Sequence, residues 1–289
     1  MEYEGDIIRP PSEADAIILQ VTVGCSHNRC TFCGAYAGVR FRLREAERIQ
    51  RDFDFAARYC RRQTRLFFAD GNVLCLPQRR LLELCALARE RLPWVHRLGL
   101  YANARDVLAK SPEELAALRQ LGLRRVYLGL ESGDPVVLAA VNKGSGPEQM
   151  IAAAQRLRAV DIFVSATVLL GLAGQSGSHA HALATGQVLS EMRPHQIAIL
   201  SYMPLPGTPL GDRVLAGDFL LPDADGLLAE LETMIQHISC DRVQLHSNHA
   251  SNFLPLEGRL QRDRPTMLTA IRRARAGEIA LRPEWLRGL

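Results

Sequence analysis

Residues 24–36 read GCSHNRCTFCGAY and set Cys25, Cys30 and Cys33 within nine residues, directly after an apolar run. Thiolates are soft ligands that suit zinc and iron–sulfur clusters. A disulfide uses two thiols and a closed zinc site takes four protein ligands, so three thiols in one loop suggest an inorganic centre with one position left open. His27 offers an alternative, a Cys₃His zinc set. Against it, zinc ligands normally arrive as two separated pairs, and His27 stands only two residues from Cys25. The other cysteines, Cys60, Cys75, Cys85 and Cys240, do not cluster. No auxiliary cluster is expected from them.

The elements that must position this loop are legible as alternation. Runs rich in β-branched and aromatic residues occur at 16–23, 65–70, 95–102, 125–130, 161–170 and 195–202 and read as strands. Helix-start signals lie between them: Pro77 before a Leu-rich run, Ser111-Pro112-Glu113-Glu114, Asp134-Pro135 and Pro147-Glu148. This pattern predicts parallel strands joined by right-handed crossovers. The expected fold is α/β, a partial (βα)₆ TIM-like barrel over residues 1–210, with 211–289 as a C-terminal extension packing on it.

In such folds functional residues sit where strands end. Those ends read GCSHNRCTFC, ADGN, YANAR, GLESG, LLGLAGQ and YMPLPGTP. Glycines there let backbone approach a ligand, and the carboxylates and amides supply hydrogen bonds that an ordinary turn does not need.

With these motifs the sequence resembles the radical S-adenosylmethionine (radical SAM) superfamily, and within it the branch of methylthiotransferases and oxygen-independent coproporphyrinogen III oxidases. The resemblance covers roughly the first three quarters of the chain, the span of the six strand ends. It implies a 4Fe-4S cluster held by Cys25, Cys30 and Cys33, whose remaining iron is chelated by SAM, with Phe32 beside the adenine. One departure is the first spacer, four residues (26–29) where the family usually has three. Asp70, Gly71 and Asn72 fall where the family receives the SAM amino group, with Asp70 as the acidic partner. Asn103, Arg105 and Glu131 extend the cofactor-binding set, as does the backbone from Val168 to Gly171. The turn PLPGTP at 204–209 is read as architectural. The implied reaction is reductive cleavage of SAM to a 5′-deoxyadenosyl radical that takes hydrogen from an unidentified small-molecule substrate. The electron comes from a donor such as flavodoxin or ferredoxin, and the protein is expected to be oxygen-sensitive. A reading from another class is a non-catalytic metal-binding or RNA-interaction module on the same fold.

Seven cysteines, an odd number, argue for reduced thiols. No apolar run reaches transmembrane length and the N-terminus lacks a signal-peptide pattern, so a cytoplasmic location without membrane partners is expected. Of the 35 basic residues behind the net charge of +4, only Lys110 and Lys143 are lysines and no basic block forms a tail. Nucleic acid is therefore not favoured. No second cysteine-rich region and no additional N-terminal domain for cobalamin are evident, which argues against methylthiotransferase and cobalamin-dependent subclasses. Near the C-terminus, HSNHASN (246–252) follows VQL. His249 and Asn248 are candidate catalytic residues, able to bind an anionic group or move a proton. Arg40, Arg42 and Arg105 would favour a carboxylate or phosphate on the substrate.

Overall fold

The computed structural model describes residues 1–288. Its main sheet has eight strands, mostly parallel, in the order β1-β4-β5-β6-β7-β8-β9-β10. The chain divides into two compact units: residues 1–28, 35–128 and 155–164 form the first, and 29–34, 129–154 and 165–289 the second.

The first unit holds β1 (Ile17–Gln20), β4 (Arg65–Ala69), β5 (Arg97–Ala102) and β6 (Leu123–Glu131) as far as Leu128, which follow one another in the sheet. β1 pairs parallel with β4, β4 with β5, and β5 with β6. The run 16–23 divides, because Thr22–Val23 (β2) leaves the main sheet to pair antiparallel with Arg42–Leu43 (β3). Helix α1 (Ala46–Tyr59) buries Ile49, Asp52, Phe53 and Ala56, the three-and-four spacing of one helical face. Helix α2 (Gln78–Arg91) follows Pro77, and α3 (Ala104–Leu108) follows Asn103. Helix α4 (Pro112–Gln120) starts with the full capping box between Ser111 and Glu114 that the sequence spells. Phe67, Tyr101 and Tyr127 meet edge to face with centroids 5.1, 5.7 and 5.8 Å apart. Arg97 Nη2 lies 2.8 Å from both oxygens of the buried Glu13 carboxylate, which also accepts from the Tyr127 hydroxyl at 2.5 Å.

In the second unit, β7 (Phe163–Leu170) pairs parallel with β8 (Gln196–Ser201) over six registered positions. Helix α5 (Pro135–Ala140) is capped by Asp134, whose side chain accepts from the Val136 N–H. Helices α7 (Gly174–Met192) and α9 (Ala224–His237) pack on each other. α6 (Pro147–Ala159) begins at Pro147, and α8 (Pro209–Leu215) is capped by Thr208.

Six strands were expected, and the sheet continues beyond them. β9 (Gln244–His246) adds parallel to β8, and β10 (Glu257–Arg259) returns antiparallel before α10 (Leu260–Arg275). VQL is thus largely a strand. Three residues with only Leu245 fully enclosed are too few to show an alternating pattern.

Candidate active site

In the first unit, the β2–β3 pairing closes the ends of the loop that carries the cysteines. Asn28, inside the long first spacer, adopts φ +41°, and its Nδ2 donates to the Tyr36 and Val39 carbonyls at 2.9 and 3.1 Å. Asparagine tolerates the left-handed region, and here its amide stitches the turn shut, so the additional spacer residue is absorbed by a defined turn.

The end of β4 supports this loop. Asp70 is 1% exposed; its carboxylate accepts from the Tyr36 hydroxyl at 2.5 Å and the Gly24 N–H at 3.4 Å, while its N–H donates to Thr22 Oγ1. Burial raises its pKa above the ordinary aspartate range, and the Tyr36 hydrogen bond works against that rise. At Gly71 a Cβ would lie 2.7 Å from the Tyr36 ring and 2.9 Å from the Cys25 Cβ. Only glycine fits where this backbone meets the first cysteine.

Asn72 is fully buried; its Nδ2 donates to Ser26 Oγ and Asp106 Oδ2, both at 2.6 Å, and its Oδ1 accepts from the Asn103 N–H at 3.3 Å. One carboxamide thereby ties the cysteine loop to the end of β5. The Asn103 Nδ2 is enclosed yet makes no hydrogen bond, a donor that a ligand acceptor would satisfy. Arg105 is 62% exposed beside Asp106, and Arg42 is paired with Glu4, whereas Arg40 is exposed. Cys75 donates to the Asn72 carbonyl at 3.0 Å, and burial pushes its thiol up to about 11.

The second unit holds residues 29–34. The Thr31 N–H donates to Val141 O and Thr31 O accepts from Leu210 N–H, both at 3.0 Å; Asn142 Nδ2 holds Arg29 O at 3.1 Å. A Cβ on Gly34 would touch Leu205 and Thr208 at 3.0 and 3.2 Å, so the PLPGTP turn backs the residue after Cys33. Phe32 packs on the cluster of Val137, Val141, Leu172, Tyr202 and Leu210.

Glu131 ends β6 at φ +61°, and its carboxylate takes the Lys143 ammonium at 2.8 Å. A Cβ on Gly129 would sit 2.1 Å from Glu131 Oε1 and 2.8 Å from Lys143 Nζ. The glycine exists to make room for that ion pair. Lys143 was not singled out from the sequence; its one signal was being a lysine in a chain that otherwise uses arginine. Gly171 adopts φ +81° and its N–H donates to Glu230 at 2.8 Å. Val168 is fully buried, while its neighbours Thr167 and Leu169, on the opposite face of β7, are partly exposed. Val168 can therefore offer a ligand backbone only.

A family model described as the Radical SAM superfamily matches residues 19–185, more than half of the chain. The chain belongs to the Radical SAM superfamily. Hopanoid C-2 methylase of Rhodopseudomonas palustris (strain TIE-1) is 26% identical over 229 residues, 76% of this chain and 41% of that protein. The chain therefore spans well under half of that relative's length. Coproporphyrinogen III oxidase (HemN) of Escherichia coli superposes with a TM-score of 0.56 at 18% identity, covering 76% of this chain and 51% of its own. The radical SAM methyltransferase TsrM of Kitasatospora setae, solved with cobalamin and a [4Fe-4S] cluster, gives 0.55 at 18%, covering 69% of this chain and 39% of its own. At these identities the likeness concerns the fold, and it supports the expected α/β, TIM-like class.

Radical SAM proteins use a 4Fe-4S cluster with SAM. The residues fit that pair. Cys25, Cys30 and Cys33 form no disulfide and none of them is buried, and the glycine at 71 gives the first of them a backbone cradle that a methyl group would fill. The enclosed Asn103 donor adds a polar group awaiting an acceptor.

In this radical SAM chain the HSNHASN segment divides by burial. Asn252 Nδ2 donates to Ile199 O, Ser247 O and Ser247 Oγ, its Oδ1 accepts from Ser201 Oγ at 2.9 Å, and Ser251 Oγ accepts from the Ser201 N–H at 3.0 Å. These residues fasten the segment to the end of β8. His249 is half-buried against Ser251; its Nδ1 accepts from the Ser251 N–H at 3.1 Å, and burial, aided by Arg282, lowers its pKa. Asn248 is exposed and donates to Glu257 at 2.7 Å. Arg282 donates to the carbonyls of His249, Ala250 and Asn252, tying the tail down. No helix among the described residues is long and apolar enough to cross a membrane.

Proposed function

We propose that this chain is a radical SAM enzyme that cleaves SAM reductively and acts on a small-molecule substrate, with flavodoxin or ferredoxin as the class of electron donor. The observation that carries the reading is three cysteines within nine residues, none in a disulfide, in a loop whose first cysteine is backed by the Asp70–Gly71 strand end. When bound, the cluster and SAM supply an electron and a 5′-deoxyadenosyl radical able to take hydrogen from substrate.

Cys25, Cys30 and Cys33 would hold the cluster. Asp70 has its hydrogen bonds inside the protein, so its proposed work is to orient Tyr36 and Gly24 and thereby the loop. The polar contacts proposed for SAM fall instead, in the first unit, to the enclosed Asn103 amide and the backbone of Gly71–Asn72 and, in the second, to Glu131, whose carboxylate Lys143 aims. Phe32 and the backbone of 168–171 offer an apolar surface for adenine. Residues 1–210 carry this set, and 211–289 support it: Glu230 holds Gly171, and Asn252 holds Ser201. Of the three arginines favouring an anionic substrate, Arg42 is already neutralised by Glu4 and Arg105 faces Asp106, which leaves Arg40 as the more available cation. His249, with Nδ1 accepting and a lowered pKa, is proposed as a neutral imidazole near pH 7.

The test is anaerobic reconstitution with iron and sulfide, followed by assay of methionine and 5′-deoxyadenosine release from SAM under a low-potential reductant. Release that disappears when the three cysteines are replaced by alanine supports the reading. Stoichiometric zinc binding with no iron uptake favours the non-catalytic module.

A further inference from the structure

The second unit contains a buried polar chain that no cofactor contact explains. His181 on α7 is completely buried; its Nδ1 lies 2.7 Å from Ser132 Oγ, and its Nε2 lies 3.2 Å from Leu169 O and 3.3 Å from Glu230 Oε1. Both neighbours of Nε2 are acceptors, so Nε2 carries the hydrogen and Nδ1 faces the serine hydroxyl. Glu230 on α9 is 1% exposed and also accepts from the Gly171 N–H at 2.8 Å and from Ser178 Oγ at 2.5 Å. Three donors converge on one enclosed carboxyl group, so this buried polar group has its partners.

The other end of the chain is equally well built. Ser132 Oγ accepts from the Asp134 N–H at 3.0 Å, and the Gly133 N–H donates to Thr185 Oγ1 at 2.8 Å. Thr185 Oγ1 in turn donates to His181 O at 2.6 Å, so the same turn of α7 holds the 129–133 loop at two points. A Cβ on Gly133 would lie 2.4 Å from Ala184 O, which shows how closely the 129–133 loop is pressed on α7. Ser132 and Thr185 are both fully buried. Although Ser132, His181 and Glu230 stand in the order of a hydrolytic triad, the serine is sealed from any substrate, and nucleophilic catalysis is excluded.

We propose that Ser132–His181–Glu230 is a positioning chain that couples the strand-end loops 129–133 and 171–174, so that Glu131 and the Gly171 backbone meet SAM as one preformed surface. Its functional half rests on the reading of Glu131 and Gly171 given above. The physical reason is pre-organisation. Glu131 holds φ +61°, a conformation that a non-glycine residue keeps only when surrounding contacts over-determine it, and Gly171 holds φ +81°, which glycine adopts freely and which its N–H contact with Glu230 fixes in place. A ligand then need not spend affinity on ordering the two loops.

Glu230→Gln is the decisive variant. It keeps the shape, replaces one acceptor oxygen with an amide donor, and alters a side chain that touches Gly171 but not the 129–133 loop. Amide hydrogen exchange of the full-length apoprotein, followed on peptides spanning 129–135 and 169–175, should rise about tenfold in both segments in Glu230→Gln and in His181→Ala. His181→Gln, which can still donate to Leu169 O, should restore part of the protection. Ser190→Ala, at the far end of α7, should change neither segment. In the reconstituted protein, the SAM dissociation constant should rise about tenfold in Glu230→Gln at unchanged iron content. Exchange that rises only in 169–175 in Glu230→Gln overturns the coupling whatever happens to SAM. Coupled exchange with SAM affinity unchanged in both Glu230→Gln and Glu131→Gln overturns the role at SAM, and locates the error in the assignment of Glu131. Should His181→Ala fail to fold, Glu230→Gln still decides.

Discussion

At the scale of single residues, Gly129 and Tyr36 carry the sharpest expectations. A methyl group at Gly129 would sit 2.1 Å from Glu131 Oε1. Gly129→Ala must therefore displace the carboxylate from Lys143. If Glu131 anchors SAM, this substitution and Glu131→Gln should each retain the cluster and weaken SAM binding by about 1.5–3 kcal/mol, the size of a lost charge-assisted hydrogen bond. Titration calorimetry under anaerobic conditions measures it, and unchanged affinity in both removes Glu131 from the site. Tyr36→Phe leaves the buried Asp70 without its shortest donor and should destabilise the apoprotein by about 1–3 kcal/mol in urea titrations. Asp70 also gives a pH signature. Its pKa is raised in the folded state, so the fold binds that proton more tightly than the unfolded chain does. The contribution is complete below the ordinary aspartate value and is lost as pH rises through the folded value. Wild-type apoprotein should therefore lose stability relative to Asp70→Asn as pH rises out of the ordinary aspartate range. An identical pH dependence in the two proteins contradicts that sign.

At the scale of elements, the 246–252 segment separates two kinds of polar residue. Asn252→Ala strips partners from Ile199 O, Ser247 and Ser201 in the interior and should cost about 2–4 kcal/mol, seen as a lowered thermal midpoint. Asn248→Ala removes an exposed contact with Glu257 and should fall within about 0.5 kcal/mol of wild type. That difference makes Asn248→Ala a clean probe of a substrate role: product lost at unchanged stability supports one. It also shows where the sequence stopped being informative. β4, β5 and β6 were readable because RLFFA, RLGLYA and RVYLGL are dense in residues that fill a sheet interior. Ser111 and Asp134 were readable as caps because capping is local. β9 was too short to show a period. The pairs Asn252–Ser201 and Glu230–Gly171 lie 51 and 59 residues apart. Side-chain hydrogen bonds at that separation follow from tertiary packing and leave no local pattern. At the candidate site, Asp70 was recognised as important, yet that its carboxylate is turned inward onto Tyr36 depends on burial, which composition does not reveal.

At the scale of the whole molecule, a chain of 289 residues matching the Radical SAM superfamily over 19–185 is set apart from a zinc or RNA-interaction module by what its cysteine loop takes up and what then happens to SAM. The most direct measurement of that claim combines metal analysis and turnover in one anaerobic experiment. Wild type and the Cys25→Ala/Cys30→Ala/Cys33→Ala variant are reconstituted side by side, assayed for iron and sulfide, and incubated with SAM and dithionite. The expected result is about four iron and four sulfide per wild-type chain, with methionine and 5′-deoxyadenosine released together, and neither cluster nor release in the variant. A wild-type protein that takes up zinc in place of iron, or that binds the cluster and SAM yet releases no 5′-deoxyadenosine, would contradict it.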